Sequence, residues 1–351
     1  MGNIKQANIE TYEYAKKLLF ASEVVAFPTE TVYGLGANAL DTKAVEKIFI
    51  LKNRPSNNPL IVHVWEKSEI QKYAIISNSI EEKIIEKLMP GSITVLLKKK
   101  ENIPSVISQN PYVWIRIPSN RVALEFLRYV NLPIAAPSAN ISTKPSPTSA
   151  QMVKEYFDEK VQLIIDWWDC SVGIESTVVK VDELFVHPIT WDSNWEVFYK
   201  IVIHRPGFVT KEDFETLFSD NQNVFVEYSS DISNISPWNM YKHYSPNASI
   251  KIIENLEEIW NISNNIENKK IALILTKETV EKYQNIISWL SKNIKVLLRW
   301  SQKNLIVCAQ NLFKLYHQCD QEWIDLVFIE WLKEEWLGFS IMNRVKKSAG
   351  S

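Results

Sequence analysis

Glycine is scarce in this chain, with only 8 among 351 residues. The glycine-bearing phosphate loop G-x-x-x-x-G-K-[ST] is absent, and so are kinase-type motifs. Any nucleotide handled here must be held by another device. Cysteine is rarer still: Cys170, Cys308 and Cys319 are odd in number and widely scattered. They fit a reducing compartment and offer no metal-binding spacing. The 5 histidines are dispersed, with no His-x-x-x-His pair, which argues against a structural zinc site. No run approaches the length of a membrane span, so none is expected. The opening MGNIKQANIETYEYAKK lacks the charged-then-apolar order of a secretory signal and reads as the lead-in to a helix, so a cytoplasmic protein is expected. A net charge of −2 argues against a dedicated nucleic-acid binder held by bulk electrostatics. Lys98, Lys99 and Lys100 form a local basic strip, read as a solvated loop after a strand or as a local contact.

What is present is a globular composition, 46% apolar and 23% charged, in a chain long enough for two domains. Helical spacing covers 9–21, 42–51, 80–89 and 150–157, while compact apolar runs at 23–27, 60–64, 93–97, 113–117, 163–166 and 176–181 read as strands. Residues 28–38 read as a loop. Mixed β-to-α and β-to-β steps predict a mixed, twisted sheet. A strand-like run ends at Arg205-Pro206-Gly207, and from Asp220 to Asn247 the texture turns to Ser, Asn, Asp, Pro and aromatics, a natural linker. Beyond it, strands at 250–253, 271–275, 296–298 and 326–329 alternate with helical stretches, the pattern of a small parallel α/β domain without a dinucleotide glycine fingerprint. The expected division is a first domain over 1–215, a linker over 216–247 and a C-terminal domain over 248–351.

Three segments carry chemistry. Lys52-Asn53-Arg54-Pro55, followed by Asn58-Pro59, places two cations around a turn past a helix. A compact ammonium and a planar fork suit polyphosphate oxygens, but a solvated basic turn is the plainer reading of those two residues. Ser138, Asn140, Ser142, Ser146 and Thr148, spaced by prolines after a buried strand, offer hydroxyls and an amide to phosphate, ribose or an amino-acid head group. A Pro/Ser surface loop is the alternative. Phe27 to Gly36 joins a strand to a polar turn holding two of the few glycines, where backbone can approach a ligand closely.

Taken in order, these segments resemble the YrdC-type threonylcarbamoyl-adenylate synthases in their longer, two-domain form. The matching stretches are AFPTETVYGLGANA at 26–39, KNRPSNNPLIVHV at 52–64, RIP at 116–118, APSANISTKPSPT at 136–148, GIESTVV at 173–179 and RPG at 205–207. YKHYSP at 241–246 resembles the linker motif of the longer form, and GFSIMNRVKKSAG at 338–350 the end of its last domain. The resemblance implies a YrdC-like twisted mixed sheet with flanking helices and a smaller C-terminal Rossmann-like α/β domain.

It also implies a reaction: L-threonine, bicarbonate (or CO2) and ATP give threonylcarbamoyl-AMP and pyrophosphate, for threonylcarbamoyladenosine modification of tRNA. Catalysis would rest on positioning and on stabilising charge at the phosphates. Lys52 and Arg54 are the catalytic candidates, with Mg2+ brought by ATP. Asn58, Ser138, Asn140, Ser146, Arg205, Tyr241 and His243 are the further ATP contacts expected. Thr29, His63, Arg116 and Ser176 are the expected threonine contacts, Arg116 taking the carboxylate. A lone histidine such as His63 is also a common structural residue. Tyr241 and His243 belong to a linker expected to close over the site. Expected partners are tRNA and a tRNA threonylcarbamoyl-transferase, with no membrane. A catalytically weak RNA-binding or docking protein on the same fold is the alternative, to be told apart by salt-dependent tRNA affinity without ATP turnover.

The chain departs from the family pattern at several points. Trp238 follows Pro237 where the linker usually has glycine, Asp166–Cys170 replaces a glycine-rich approach to GIESTVV, Tyr112 and Trp114 stand where smaller residues are usual, and Ser92 replaces a usual proline.

Overall fold

In the computed structural model the described residues are 3–186, 196–230, 244–254, 269–285, 287 and 294–350. Strands β1 (Ile4–Gln6), β2 (Val25–Phe27), β3 (Gly34–Asn38), β4 (Ile61–His63), β5 (Ala74–Ile75) and β6 (Ile93–Lys99) open a large sheet. It is completed by β7 (Tyr112–Arg116), β8 (Ile134–Ala135), β9 (Ile164–Asp166), β10 (Thr177–Val186), β11 (Glu196–Arg205) and β12 (Val224–Tyr228). Their order is β1-β9-β2-β3-β8-β4-β7-β6-β10-β11-β12, with β5 on β6. Pairing is mixed as expected: β4 runs parallel to β7, while β3 and β4 each run antiparallel to the short β8. A second sheet is wholly parallel, β13 (Ser249–Ile253), β14 (Ile271–Thr276), β15 (Ile294–Trp300) and β16 (Leu326–Glu330) in the order β13-β16-β14-β15.

Two expectations change. Residues 34–38, expected as loop, form β3. A Cβ on Gly36 would stand 2.7 Å from Ile134 Cγ2 and 2.9 Å from the Phe27 ring, so that glycine serves packing inside the sheet, while Gly34 lines the first of the clefts described below. Second, β12 lies within the span expected as linker and extends the large sheet beyond residue 215 by pairing parallel with β11. A helix at Arg121–Val130, to which the sequence reading assigned no element, is capped by the Asn120 side chain and buries Val122, Ala123, Phe126, Leu127 and Val130.

The two sheets do not stand apart. One continuous apolar cluster joins Val32, Val172 and Ile174 of the large unit to Tyr244 and to Ala309, Leu312, Phe313, Ile341 and Val345 of the small one. Lys314 pairs with Asp169 at 2.8 Å, and the Gln310 amide donates to the Ser171 carbonyl at 2.6 Å. No helix among the described residues is long and apolar enough to cross a membrane.

Candidate active site

The helix Thr42–Lys52 begins on the Asp41 side chain, which accepts from two backbone amides, and ends where Asn53 turns left-handed at φ 50°. That turn separates the two cations of the K-x-R segment. Lys52 points back under the Ser/Pro loop, and its Nζ donates to the carbonyls of Ser138 and Asn140 at 2.5 Å each. Arg54 swings the other way, donating to Pro59 O at 3.0 Å and, more weakly, to Asn58 O at 3.4 Å. Two adjoining clefts of about 630 and 650 Å3 open here and share Arg54, Asn58 and Ser138.

The first cleft is lined by Thr29, His63, Trp114, Arg116, Glu175 and Arg205, among others. Arg116 is buried and its Nη2 donates to Glu30 Oε1 at 2.7 Å and to Thr31 Oγ1 at 2.9 Å. Glu30 is held in turn by Ser92 Oγ at 3.2 Å and by the Ser119 amide at 3.1 Å. Ser92, the residue in place of the usual proline, thus adds a donor to this ion pair. Arg116 Nε, His63 Nδ1 and Trp114 Nε1 are buried polar atoms without a hydrogen-bond partner. Three such atoms around one cleft mark a place that a polar ligand would satisfy. Burial first, then the Arg116 charge, pushes the His63 imidazole down to about 3, so it is neutral at physiological pH. Thr29 closes its own turn: its hydroxyl donates to Val32 O at 2.6 Å.

The second cleft is lined by Lys52, Arg54, Asn58, Ser138, Asn140, Ser146, Lys144 and Tyr244, among others. Asn140 spends both amide hydrogens within the loop, on Ile141 O at 2.9 Å and Lys144 O at 2.7 Å, and its Oδ1 accepts from Ser138 Oγ at 2.6 Å. It shapes the loop that carries the hydroxyls. Ser146 Oγ donates to Glu175 Oε1 at 2.5 Å. Ser176 lies behind Arg205: its carbonyl accepts from Arg205 Nε at 2.9 Å, and its hydroxyl is 3.0 Å from Arg205 Nη2. The structure therefore brings Thr29, Lys52, Arg54, Asn58, His63, Arg116, Ser138, Asn140, Ser146 and Arg205 to one place, with Ser176 supporting Arg205. Tyr241 and His243 lie outside the described residues.

The electrostatics of the two clefts are lopsided. Burial, then Arg54, lowers the Lys52 ammonium well below its ordinary value. Burial, then Arg205, lowers Arg54 to about 9, and burial lowers Arg205 to about 10. Lys347, from the last helix, is pushed down to about 7 by burial and then by Arg344 and Arg205. Within this cationic group Glu175 is the nearby carboxylate. Burial alone would raise it, yet Arg344, Arg205 and the Ser146 hydroxyl hold it below its ordinary value. Glu175, Trp114, Arg344 and Lys347 were not among the site residues expected from sequence. Glu175 and Arg344 both sit inside recognisable motifs, but only the fold brings them together. The Lys98–Lys100 strip is partly engaged in the fold, Lys99 donating to Ser108 O at 2.7 Å and Lys100 to Gln71 O at 2.5 Å. Of the tryptophans that mark the departure at 166–170, Trp168 is 79% exposed and lines neither cleft, so the substitution leaves the pocket walls alone.

Comparison with known proteins bears on this arrangement. The Sua5/YciO/YrdC family model, described as "Telomere recombination", matches residues 17–189, and the family described as "Threonylcarbamoyl-AMP synthase, C-terminal domain" matches residues 209–350. The threonylcarbamoyl-AMP synthase of Pyrococcus abyssi is 34% identical over 93% of this chain and 91% of its own. That of Bacillus subtilis is 34% identical over 96% and 92%. The crystal structure of P. abyssi Sua5 complexed with L-threonine superposes with a TM-score of 0.81 at 32% identity, covering 99% of this chain and 97% of that one. With near-complete coverage in both sequence and fold, the chain belongs to the threonylcarbamoyl-AMP synthase family, in its long form with the C-terminal domain.

Proposed function

We propose that this protein condenses L-threonine, bicarbonate (or CO2) and ATP into threonylcarbamoyl-AMP and pyrophosphate. The observation that carries the reading is a group of cations lining the two clefts, Lys52 and Arg205 buried and Arg54 half-buried, each held below its ordinary pKa, with the Glu175 carboxylate beside Arg205. Like charges crowded out of water are costly unless an anion joins them. A triphosphate that lies along the second cleft and reaches Arg205 where the first cleft adjoins it supplies that anion, and its arrival favours the charged form of these groups.

Chemically, the threonine amine adds to bicarbonate with loss of water to give a carbamate. A carbamate oxygen then attacks the α-phosphorus, and pyrophosphate leaves. Arg54 and Arg205 stabilise the charge gathering on α-phosphate and pyrophosphate oxygens, the largest contribution expected of a positioning enzyme. Lys52 holds the Ser138–Ser146 loop by its two carbonyl contacts and directs its remaining N–H toward the second cleft. Threonine occupies the first cleft, with its carboxylate on the Arg116 edge and its other polar atoms against His63, Thr29 and Trp114. Neutral His63 suits an amine nucleophile, because it adds no competing positive charge. The groups lining the second cleft are hydroxyls, amides and cations, a set suited to phosphate oxygens and not to a metal, so Mg2+ enters as the ATP complex.

The division into a catalytic unit, a linker over 216–247 and a C-terminal unit belongs to this reading, with β12 assigned to the catalytic sheet. A reducing, cytoplasmic setting fits three buried free cysteines. The adenylate is a labile mixed anhydride, and a tRNA threonylcarbamoyl-transferase acting on tRNA is the proposed consumer. The test is pyrophosphate release from ATP by the purified protein. Release that requires both threonine and bicarbonate, and that falls by at least about a hundredfold in kcat/KM for ATP with Arg54→Ala, is expected for a lost charge-assisted phosphate contact. Release independent of threonine would overturn the reading.

A further inference from the structure

Ile61, His63, Trp114 and Arg116 form a four-residue tile on one face of the large sheet. β4 and β7 run parallel, with Ile61 beside Trp114 and His63 beside Arg116. Residues two apart on a strand point to the same face, and all four side chains line the first cleft. The two ends of the tile differ. One end holds the His63 imidazole and the Arg116 guanidinium, which pairs with Glu30. The other end is apolar, with Trp114 packed among Ile61, Leu96 and Val178 in a small cluster of their own.

One polar atom interrupts that apolar end. Trp114 is 5% exposed, and its Nε1 has no hydrogen-bond partner. A buried indole N–H ordinarily finds an acceptor, because burial takes away the bond it makes to water in the unfolded chain. Phenylalanine would build a similar wall without that cost. Trp300 also carries a buried, unpartnered Nε1, but it lines neither cleft. Trp114 lines a cavity that a substrate enters, so an acceptor can arrive from there.

The substrate proposed for this cleft matches the tile end to end. Trp114 and Arg116 are separated by about 7 Å of strand, a span that a small amino acid bridges with a hydrogen bond at each end. With its carboxylate on Arg116, threonine presents its side chain, one methyl and one hydroxyl, to the apolar wall and its single donor. We propose that Trp114 is a specificity-determining residue: its Nε1–H donates to the side-chain hydroxyl oxygen of threonine, while the indole ring and Ile61 pack on the methyl. The inference rests on the proposed function and on threonine occupying the first cleft. A purely structural Trp114 would support the sheet without sensing whether the amino acid carries a hydroxyl.

The experiment is a cycle between one protein donor and one ligand acceptor, run on the full chain. Pyrophosphate release is measured with L-threonine and with L-2-aminobutyrate, which keeps the methyl and lacks the hydroxyl, in wild type and Trp114→Phe. A site that hydrogen-bonds a hydroxyl strongly rejects the analogue lacking it, so wild type is expected to favour threonine by at least about a hundredfold in kcat/KM. In Trp114→Phe that ratio is expected to fall at least about tenfold, because the loss strikes threonine and spares aminobutyrate, with the KM for ATP changed less than about threefold. A smaller fall, or equal losses with both amino acids, overturns the proposal. A wild type that takes both amino acids equally well overturns it too. Should Trp114→Phe not fold, Trp114→Leu also removes the donor and is read by the same ratio. Wild-type release separates the two levels. If wild type releases no pyrophosphate in response to threonine, the proposed function fails; if it does and the ratio is unmoved by the variant, only this inference fails.

Discussion

At the scale of single residues, sequence spacing finds the neighbourhood and leaves each side chain's partners to the fold. Lys52 is legible as a site residue because a lysine before Asn-Arg-Pro belongs to a recognisable segment. Its actual partners, two backbone carbonyls 86 and 88 residues away, are set by the fold alone. Asn140 reads as a ligand contact; it lines the second cleft and also orders its own loop, which spacing does not reveal. The Arg344–Glu175 pair, 169 residues apart, carries no local signal at all. His63 gives the residue-scale prediction. Its pKa is about 3 in the fold against 6.5 in an ordinary environment, so between those values the unfolded chain binds a proton that the native protein does not. Stability therefore falls as pH drops through that window, by about 2 kcal/mol at pH 5. Glu175 contributes in the same direction at lower pH: its depressed carboxyl stabilises the fold above the ordinary carboxylate range, and that contribution is lost as pH falls toward the depressed value. Urea denaturation at pH 7.5 and 5 is expected to show His63→Gln losing much less stability on acidification than wild type. An equal loss in both proteins would mean that the imidazole is not held neutral.

At the scale of elements, periodicity locates strands whose apolar residues make their own case. Ile93–Lys99 and Ile271–Thr276 differ from the sequence reading only at their ends. β3 is lost to that reading because two glycines in five residues look like a turn, and only pairing with β2 and β8 makes them a strand. The helix Arg121–Val130 was open to detection, since its buried residues recur at helical spacing after an Asn cap. Gly173 tests how closely elements meet. Its φ is +83°, and a Cβ there would lie 2.4 Å from Gln310 Cα and 2.6 Å from Ala309 O, both backbone atoms of the helix Leu305–Gln321. Neither atom can swing aside as a side chain can. Gly173→Ala is expected to cost about 2 kcal/mol or more, through left-handed strain and displacement of that helix. Thermal denaturation measures the loss, and faster amide exchange across 305–321 locates it. A change within about 0.5 kcal/mol would show that the interface gives way cheaply.

At the scale of the whole molecule, the two sheets read in sequence as separate domains, and composition gives no hint of how tightly they join. The reason is physical: an interface made of Val32, Val172 and Ile174 on one side and Phe313, Ile341 and Val345 on the other uses the same residue types as any core. Domains joined through a polar, sparsely packed contact move and melt independently. Here the contact is apolar at its centre, is ringed by the Lys314–Asp169 and Gln310–Ser171 bonds, and is crossed by the fully buried Arg344–Glu175 pair. Melting the small unit alone would bare that apolar surface and take Arg344 away from the buried Glu175, so the large unit is expected to lose stability in the same step. Scanning calorimetry of the full chain without ligand should then give one transition, with a calorimetric enthalpy close to the van't Hoff value. In Arg344→Met the coupling is weakened, and the single peak should broaden or split toward the melting of two units. Two well-separated transitions in the wild-type protein would show instead that the units are held together by proximity and that the buried cluster contributes little to their coupling.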